Sequence, residues 1–291
     1  MPRRYNACRV RCLRRSVAGG SRPLLPEDHF LFRTIDNGTA VEITGYVGGK
    51  TYVRIPPFIG GLPVTAIGEY AFVCTEWEHE WIFSGSLASV AIPSGITHIG
   101  RRAFAYNQLT GITIPGSVTH IGYGAFERNR LTGVTIGNGV TCLGEAAFRT
   151  NELTSVTLLD SVTHIGVDAF SGNQLDNVIF GNNITHIGGS AFQGNSLTNV
   201  AIPDSVTHIG GFAFNSNQLL TVAIGNSVAR IETATFERNQ LASITIPCGI
   251  TYISDRAFSE NQLTYVVIPN SEAYVSARAF DPEVEVTMGA D

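Results

Sequence analysis

The sequence predicts a mostly-β repeat solenoid, a right-handed superhelix of 22-residue units in which each unit is a β-strand plus a short helical turn. Three columns of identical residues with one period carry this expectation. Leucine recurs every 22 residues at Leu87, Leu109, Leu131, Leu153, Leu175, Leu197, Leu219, Leu241 and Leu263. Phenylalanine keeps the same step from Phe104 to Phe280, and asparagine keeps it from Asn107 to Asn261. No unit can bury its own apolar face, so neighbours must stack to form one continuous core.

The unit Leu109 to Arg130 reads LTGITIPGSVTHIGYGAFERNR. Ile112 and Ile114 alternate with Thr113, the period-2 mark of a strand with one buried face. Pro115 ends that strand because it has no N–H for a ladder. Val118 and Ile121 are the next inward residues, and Gly122 permits the bend that follows them. Ala125-Phe126 is expected to form a single helical turn, and Asn129 closes the coil. An inward carboxamide at that position can bond buried backbone groups through both its oxygen and its NH₂. Eight equivalent asparagines therefore read as a structural ladder rather than an active site.

Composition bounds the rest. The 291 residues are 44% hydrophobic and 15% charged, against about 25% charged in an average domain, so the bulk can bury a core. No run approaches 18 uncharged apolar residues, and no transmembrane segment is expected. Residues 1–26 hold seven of the nineteen basic residues and no acid, so residues 27–291 carry twelve basic against twenty-four acidic side chains, a net −12. An acidic body argues against nucleic acid as partner, since phosphate binding needs a basic face. Cys8, Cys12, Cys74, Cys142 and Cys248 are too few and too irregular for a disulfide scaffold, and no C-x-x-C metal motif occurs.

The pattern L-x-x-[VI]-x-I-P-x-x-[VI]-T-x-I-G-x-x-A-F-x-x-N runs through residues 87–281. It resembles the BspA-like, or treponemal-type, leucine-rich repeat. Gly61-Leu62-Pro63-Val64-Thr65-Ala66-Ile67-Gly68 with Ala71-Phe72 resembles its opening repeat. Gly137, Leu159, Gly181 and Gly225 replace the proline, and Glu232, Ser254 and Ser276 replace the glycine. These departures bear on turn geometry rather than on the fold. The resemblance implies a bacterial surface or secreted adhesin that binds host matrix or cell-surface proteins.

Five segments are expected. Residues 1–29 form a basic, disordered tail, or follow a start codon placed too far upstream, or tether the chain to anionic lipid or acidic partners. Their arginines lack the following apolar run of a secretory signal, so no signal peptide is recognised. Residues 30–56 alternate around Asp36-Asn37-Gly38 and read as an N-terminal β cap. Residues 57–86 are the opening repeat with a ten-residue insertion that carries both tryptophans, Trp77 and Trp81. Regular repeats fill 87–281, and 282–291 form a C-terminal cap whose Glu283 and Glu285 discourage edge pairing.

Three features are candidates for function. Trp77 and Trp81 lie amid Glu76, Glu78, His79 and Glu80; they either pack on the solenoid flank or anchor a partner, because tryptophan is enriched at interface hot spots. Glu76, His79 and Glu80 are also weighed as a shared metal site, which the lack of a second histidine leaves without support. Five of seven histidines share one column, His98, His120, His164, His186 and His208, with Cys142 in the gap and Arg230 and Tyr252 continuing it. That column is a copied ancestral residue, a metal-binding row with imidazoles about 5 Å apart, or a pH-sensitive stripe. Finally, Ala91, Thr113, Thr135, Thr157, Ala201, Ala223 and Thr245 form an outward row of small uncharged side chains. That row is either a solvated sheet or a face that meets a partner without desolvating charge. Thr113, Thr135 and Thr157, with the two tryptophans, are the protein-binding candidates.

Every polar feature is repeated, whereas catalysis needs a unique constellation. The expectation is therefore a non-catalytic protein-interaction module without a cofactor, placed by the resemblance at the cell surface or secreted. The alternatives are a periplasmic or cytoplasmic scaffold, and a metal-binding protein using the histidine column.

Overall fold

The computed structural model describes residues 29–73 and 87–289. It is a β-solenoid of about eleven turns. Each regular turn has three sides: a longer strand, a two-residue strand, and a run of tight turns that carries phenylalanine.

The two-residue strands form the most continuous ladder. It starts in an antiparallel hairpin, Phe30–Ile35 with Ala40–Tyr46, closed by left-handed Asp36 and Asn37. Leu62–Ile67 joins it in parallel, followed by His98–Ile99, His120–Ile121, Cys142–Leu143, His164–Ile165, His186–Ile187 and His208–Ile209. The regular rungs pair residues 22 apart, such as His164 with His186. Glycine after each two-residue strand permits this close approach: a Cβ on Gly166 would sit 2.6–2.7 Å from the backbone of the preceding rung. The ladder stops after Ile209, where Glu232 replaces that glycine and turns to Arg230, and a second ladder starts at Arg230–Ile231. Ser254 and Ser276 also replace the glycine yet keep their bonds to the preceding rung, so a Cβ alone does not explain the break.

The longer strands pair differently. They associate in twos: Gly111–Ile114 with Gly133–Ile136, Ser155–Thr157 with Asn177–Ile179, Asn199–Ala201 with Thr221–Ala223, and Tyr265–Ile268 with Glu285–Met288. The first strand of each pair runs into Pro115, Leu159, Pro203 or Pro269, and the second into Gly137, Gly181, Gly225 or Gly289. A Cβ on any of these four glycines would lie 2.3–2.6 Å from the preceding rung. Proline has no N–H to give its predecessor and holds the rungs apart, whereas glycine lets the backbone close. The glycines at 137, 181 and 225 thus recur every 44 residues, whereas Leu159 keeps its N–H and Pro269 stands where a fourth glycine would fall, so the proline half of the mark does not run through the chain. Tyr52–Arg54 with Ser89–Ala91 is a further pair, which ends in Pro56 and Pro93 and lacks this mark.

The expected helical turn at Ala125-Phe126 is replaced by two overlapping β-turns, with Ala125 N–H donating to Gly122 C=O and Glu127 N–H to Gly124 C=O. The intervening N–H groups of Gly124, Phe126 and Arg128 donate to the next rung, to the carbonyls of Glu145, Ala147 and Arg149. A helical turn would have pointed its N–H groups along its own axis instead of across to the next rung. The turns demand left-handed backbone at two columns, one of which holds Tyr106, Arg128, Thr150, Gly172, Gly194, Ser216, Arg238 and Glu260.

The core follows from the columns. Phe104 through Phe258 are buried and stacked, with successive centroids 5.4–5.6 Å apart and planes within 15°. Phe72 continues the stack at 4.7 Å, and the rings of Phe30 and Tyr46 from the hairpin lie against it. Beside this spine runs the asparagine ladder. Asn173 accepts from Leu153 N–H at 3.1 Å and donates to the carbonyls of Phe148 and Phe170 at 2.9 and 3.0 Å.

Candidate binding surface

The longer strands bury every second residue and expose the rest, which places one row of side chains on a common outer face. From Ser89–Ala91 to Tyr265–Ile268 the exposed positions of eight strands carry no charge, nor do the exposed Ser243 and Thr245 of the ninth rung, which forms no strand. They are Ser, Ala, Gly, Thr, Asn, Ile, Tyr and Val, with Arg54 before them and Glu285 after them. Thr113, Thr135 and Thr157 stand in this row as expected, exposed, with Thr113 and Thr135 directly opposite one another. Ile179 and Val267 belong to it too, 54% and 42% exposed, and give the row an apolar contribution that the threonines and alanines alone did not announce.

An open hollow of about 610 Å³ lies on this face, lined by Ser89–Ile92, Gly111–Thr113 and Gly133–Thr135. Two glycines make it. A Cβ on Gly133 would meet nothing within 4 Å, and one on Gly111 only a carbonyl at 3.9 Å. Later rungs carry Ser155, Asn177, Asn199 and Thr221 in the column of these glycines. Trp77 and Trp81, with Glu76, His79 and Glu80, lie outside the described residues.

The histidine column forms a second surface, on the two-residue strands. His98, His120, His164, His186 and His208 are all exposed. Their rings stack along the rungs: His164 and His186 have centroids 4.5 Å apart with planes 12° from parallel. His98 to His120 and His186 to His208 are 6.0 and 5.7 Å. Cys142 is half-buried, and burial pushes its thiol up. Beyond His208, the Arg230 guanidinium lies 4.0 Å over the Tyr252 ring, which stacks on Tyr274.

Periodic strands, buried leucine and phenylalanine columns and an asparagine ladder define this class of protein: a leucine-rich repeat solenoid. Residues 164–286 match the family model described as BspA type leucine rich repeat region, in six copies. Over those residues the chain is similar to the BspA-type repeat.

Among solved structures, a leucine rich cell surface protein from Faecalibacterium prausnitzii is 22% identical, with a TM-score of 0.44 over 94% of this chain and 97% of that one. A leucine-rich repeat protein from Bacteroides ovatus is 18% identical, with a TM-score of 0.47 over 90% of each. The pneumococcal vaccine antigen PcpA is 18% identical, with a TM-score of 0.48 over 90% of this chain and 92% of that one. No curated protein matches the chain in sequence. Among the described residues, no helix is long and apolar enough to cross a membrane.

Proposed function

We propose that the chain is a non-catalytic protein-interaction module that works as a bacterial surface or secreted adhesin and docks host matrix or cell-surface protein on its strand face. The observation that carries this reading is the uncharged outward row, nine rungs long, on a body of net charge −12. Burying such a face desolvates hydroxyls, amides and methyl groups instead of ions, and the cost of stripping water from an unpaired charge is avoided. The hollow at Gly111 and Gly133 gives one partner side chain a place to insert. Trp77 and Trp81 stand in sequence just before Leu87 and the first strand of that hollow, and are assigned as anchors for the same partner. The BspA-type repeat supports the interaction role.

Surface placement is tested by adding protease to intact source cells and following the chain by immunoblot beside a cytoplasmic control. The expected result is loss of the chain while the control survives. Protection until lysis would instead make it a scaffold inside the envelope.

A further inference from the structure

We propose that the solenoid docks a second copy of itself end to end, the N-terminal hairpin of one copy seating on the C-terminal rungs of the next. Charge divides along the chain. Residues 1–149 carry fifteen basic and ten acidic side chains, and residues 150–291 carry four and fourteen, a net +5 against −10. Large exposed apolar side chains gather at the two ends. Between residues 71 and 264 they are only Leu159, Val167, Ile179 and Leu220 among the described residues. Leu31, Phe32 and Tyr52 stand exposed at one end, and Tyr274, Val286 and Met288 at the other. Single exposed apolar residues need no explanation, but their concentration at two opposite ends marks surfaces that meet a partner.

The backbone is open at the same places. Phe30–Ile35 is the outermost strand of the first ladder, and Tyr274–Val275 is the outermost strand of the second. Each has one unpaired edge among the described residues, as have Tyr52–Arg54 and Glu285–Met288 on the side of the longer strands. Such edges are templates for another chain. The two ends are also stepped in opposite senses. At the N-terminal end the hairpin adds two strands beyond Leu62–Ile67, while no strand precedes Tyr52–Arg54 on the longer side. At the C-terminal end Glu285–Met288 adds one strand beyond Tyr265–Ile268, while none follows Tyr274–Val275. The protruding hairpin of one copy therefore fits the recessed Tyr274–Val275 edge of another, and the protruding Glu285–Met288 faces the recessed Tyr52–Arg54. A two-strand step against a one-strand step leaves those longer strands about 10 Å apart, two ladder spacings.

Long charged side chains stand where that gap must be spanned. Lys50 and Arg54 flank Tyr52, and Glu283 and Glu285 lead the last strand. All four are exposed, and none has an ion-pair partner among the described residues. Two C-terminal ends brought together would oppose carboxylates, and like charges across an interface are strongly unfavourable. Opposite ends are selected instead. A joint between two different surfaces repeats from copy to copy and extends into an open chain unless its rotation closes a ring.

The test is sedimentation velocity of the purified full chain over a range of concentrations, in reducing buffer at low salt. Arg54→Glu, Glu285→Arg, the double variant and Thr113→Glu are run beside it, and circular dichroism confirms that each is folded. The expected result is association of the wild type beyond dimer with rising concentration. Arg54→Glu and Glu285→Arg are each expected to associate at least tenfold more weakly. Mixing these two variants, or combining both changes in one chain, is expected to restore association, which a merely structural role for either residue would not do. A wild type that stays monomeric, or that stops at a two-fold dimer, would overturn the joint. So would unchanged association of either charge-reversed variant, or no recovery on mixing. Thr113→Glu is expected to associate as the wild type does; its failure would move the contact to the strand face. The strand face takes no part in the joint, so the result is independent of the adhesin reading.

Discussion

Replacing Phe170 by alanine is expected to destabilise the solenoid by about 3–5 kcal/mol, the range for deleting a fully buried aromatic ring. Phe170 has no exposed surface and stacks between Phe148 and Phe192 at 5.4 and 5.5 Å. Both neighbours are held by their own rungs, so neither can move far to fill the gap. In a quasi-one-dimensional array, each repeat rests only on its neighbours, and a weakened middle rung uncouples the two halves. Urea unfolding is expected to shift to a lower midpoint and to broaden or split. Phe280, at the last rung and 8% exposed, stacks on one side only, and its alanine variant is expected to lose less. Equal losses at the two positions would mean that the spine does not work as a stack.

Asn173 is the second position of large effect. Its carboxamide joins three buried backbone groups on two rungs: the Leu153 N–H and the carbonyls of Phe148 and Phe170. Asn173→Leu fills the space but leaves the Leu153 N–H without its acceptor, while the carbonyls of Phe148 and Phe170 keep the carboxamides of Asn151 and Asn195. An orphaned buried N–H costs about 1–3 kcal/mol, and that is the expected loss. Asn173→Asp discriminates the hydrogen-bond account from simple packing. A carboxylate still accepts from Leu153 but cannot donate, and it faces two carbonyls, so its folded pKa is raised above the ordinary value of about 3.9. A raised pKa contributes stability that is present below the unfolded pKa and is lost as pH rises through the folded one. Relative to wild type, this variant is expected to be most stable in acid and to weaken toward neutral pH. A flat difference would contradict the ladder.

Much of the fold was legible in the sequence because its signals are repeated. Leucine, isoleucine, phenylalanine and asparagine columns each mark an inward position, and the structure buries Leu109 through Leu241 and Phe104 through Phe258. The turn at Ala125-Phe126 misled because alanine and phenylalanine are compatible with a helix, while the competing rung-to-rung bonds depend on a neighbour 22 residues away. The alternation of Pro115, Gly137, Leu159, Gly181, Pro203 and Gly225 reads in one dimension as a decaying motif. The stacked strands show what its glycines do: at 137, 181 and 225 the backbone closes on the preceding rung to a distance that leaves no room for a Cβ.

The candidate surfaces were legible by row but not by detail. Strand alternation placed Thr113, Thr135 and Thr157 outward, and the column beside Ile99 and Ile121 placed the histidines outward. Ile179 breaks the small-residue pattern although it is exposed in the same register. The glycines at 111 and 133 carry no side chain to notice, yet they make the hollow. The Thr-His dipeptide recurs at 97, 119, 163, 185 and 207 and is the sequence mark of the stacked imidazole row.

The central claim is that the uncharged strand face is the docking surface. It is tested most directly by the retention of purified chain on decellularised extracellular matrix, comparing wild type with Thr113→Glu/Thr157→Glu and with His120→Gln. The two threonines are exposed and two rungs apart, so the added carboxylates do not face one another, and each exposed substitution shifts stability by only about 0.5 kcal/mol. The predicted result is retention of the wild type and of His120→Gln, with at least a tenfold loss in the doubly charged variant at unchanged melting temperature. Equal retention of all three, or none by the wild type, would contradict it.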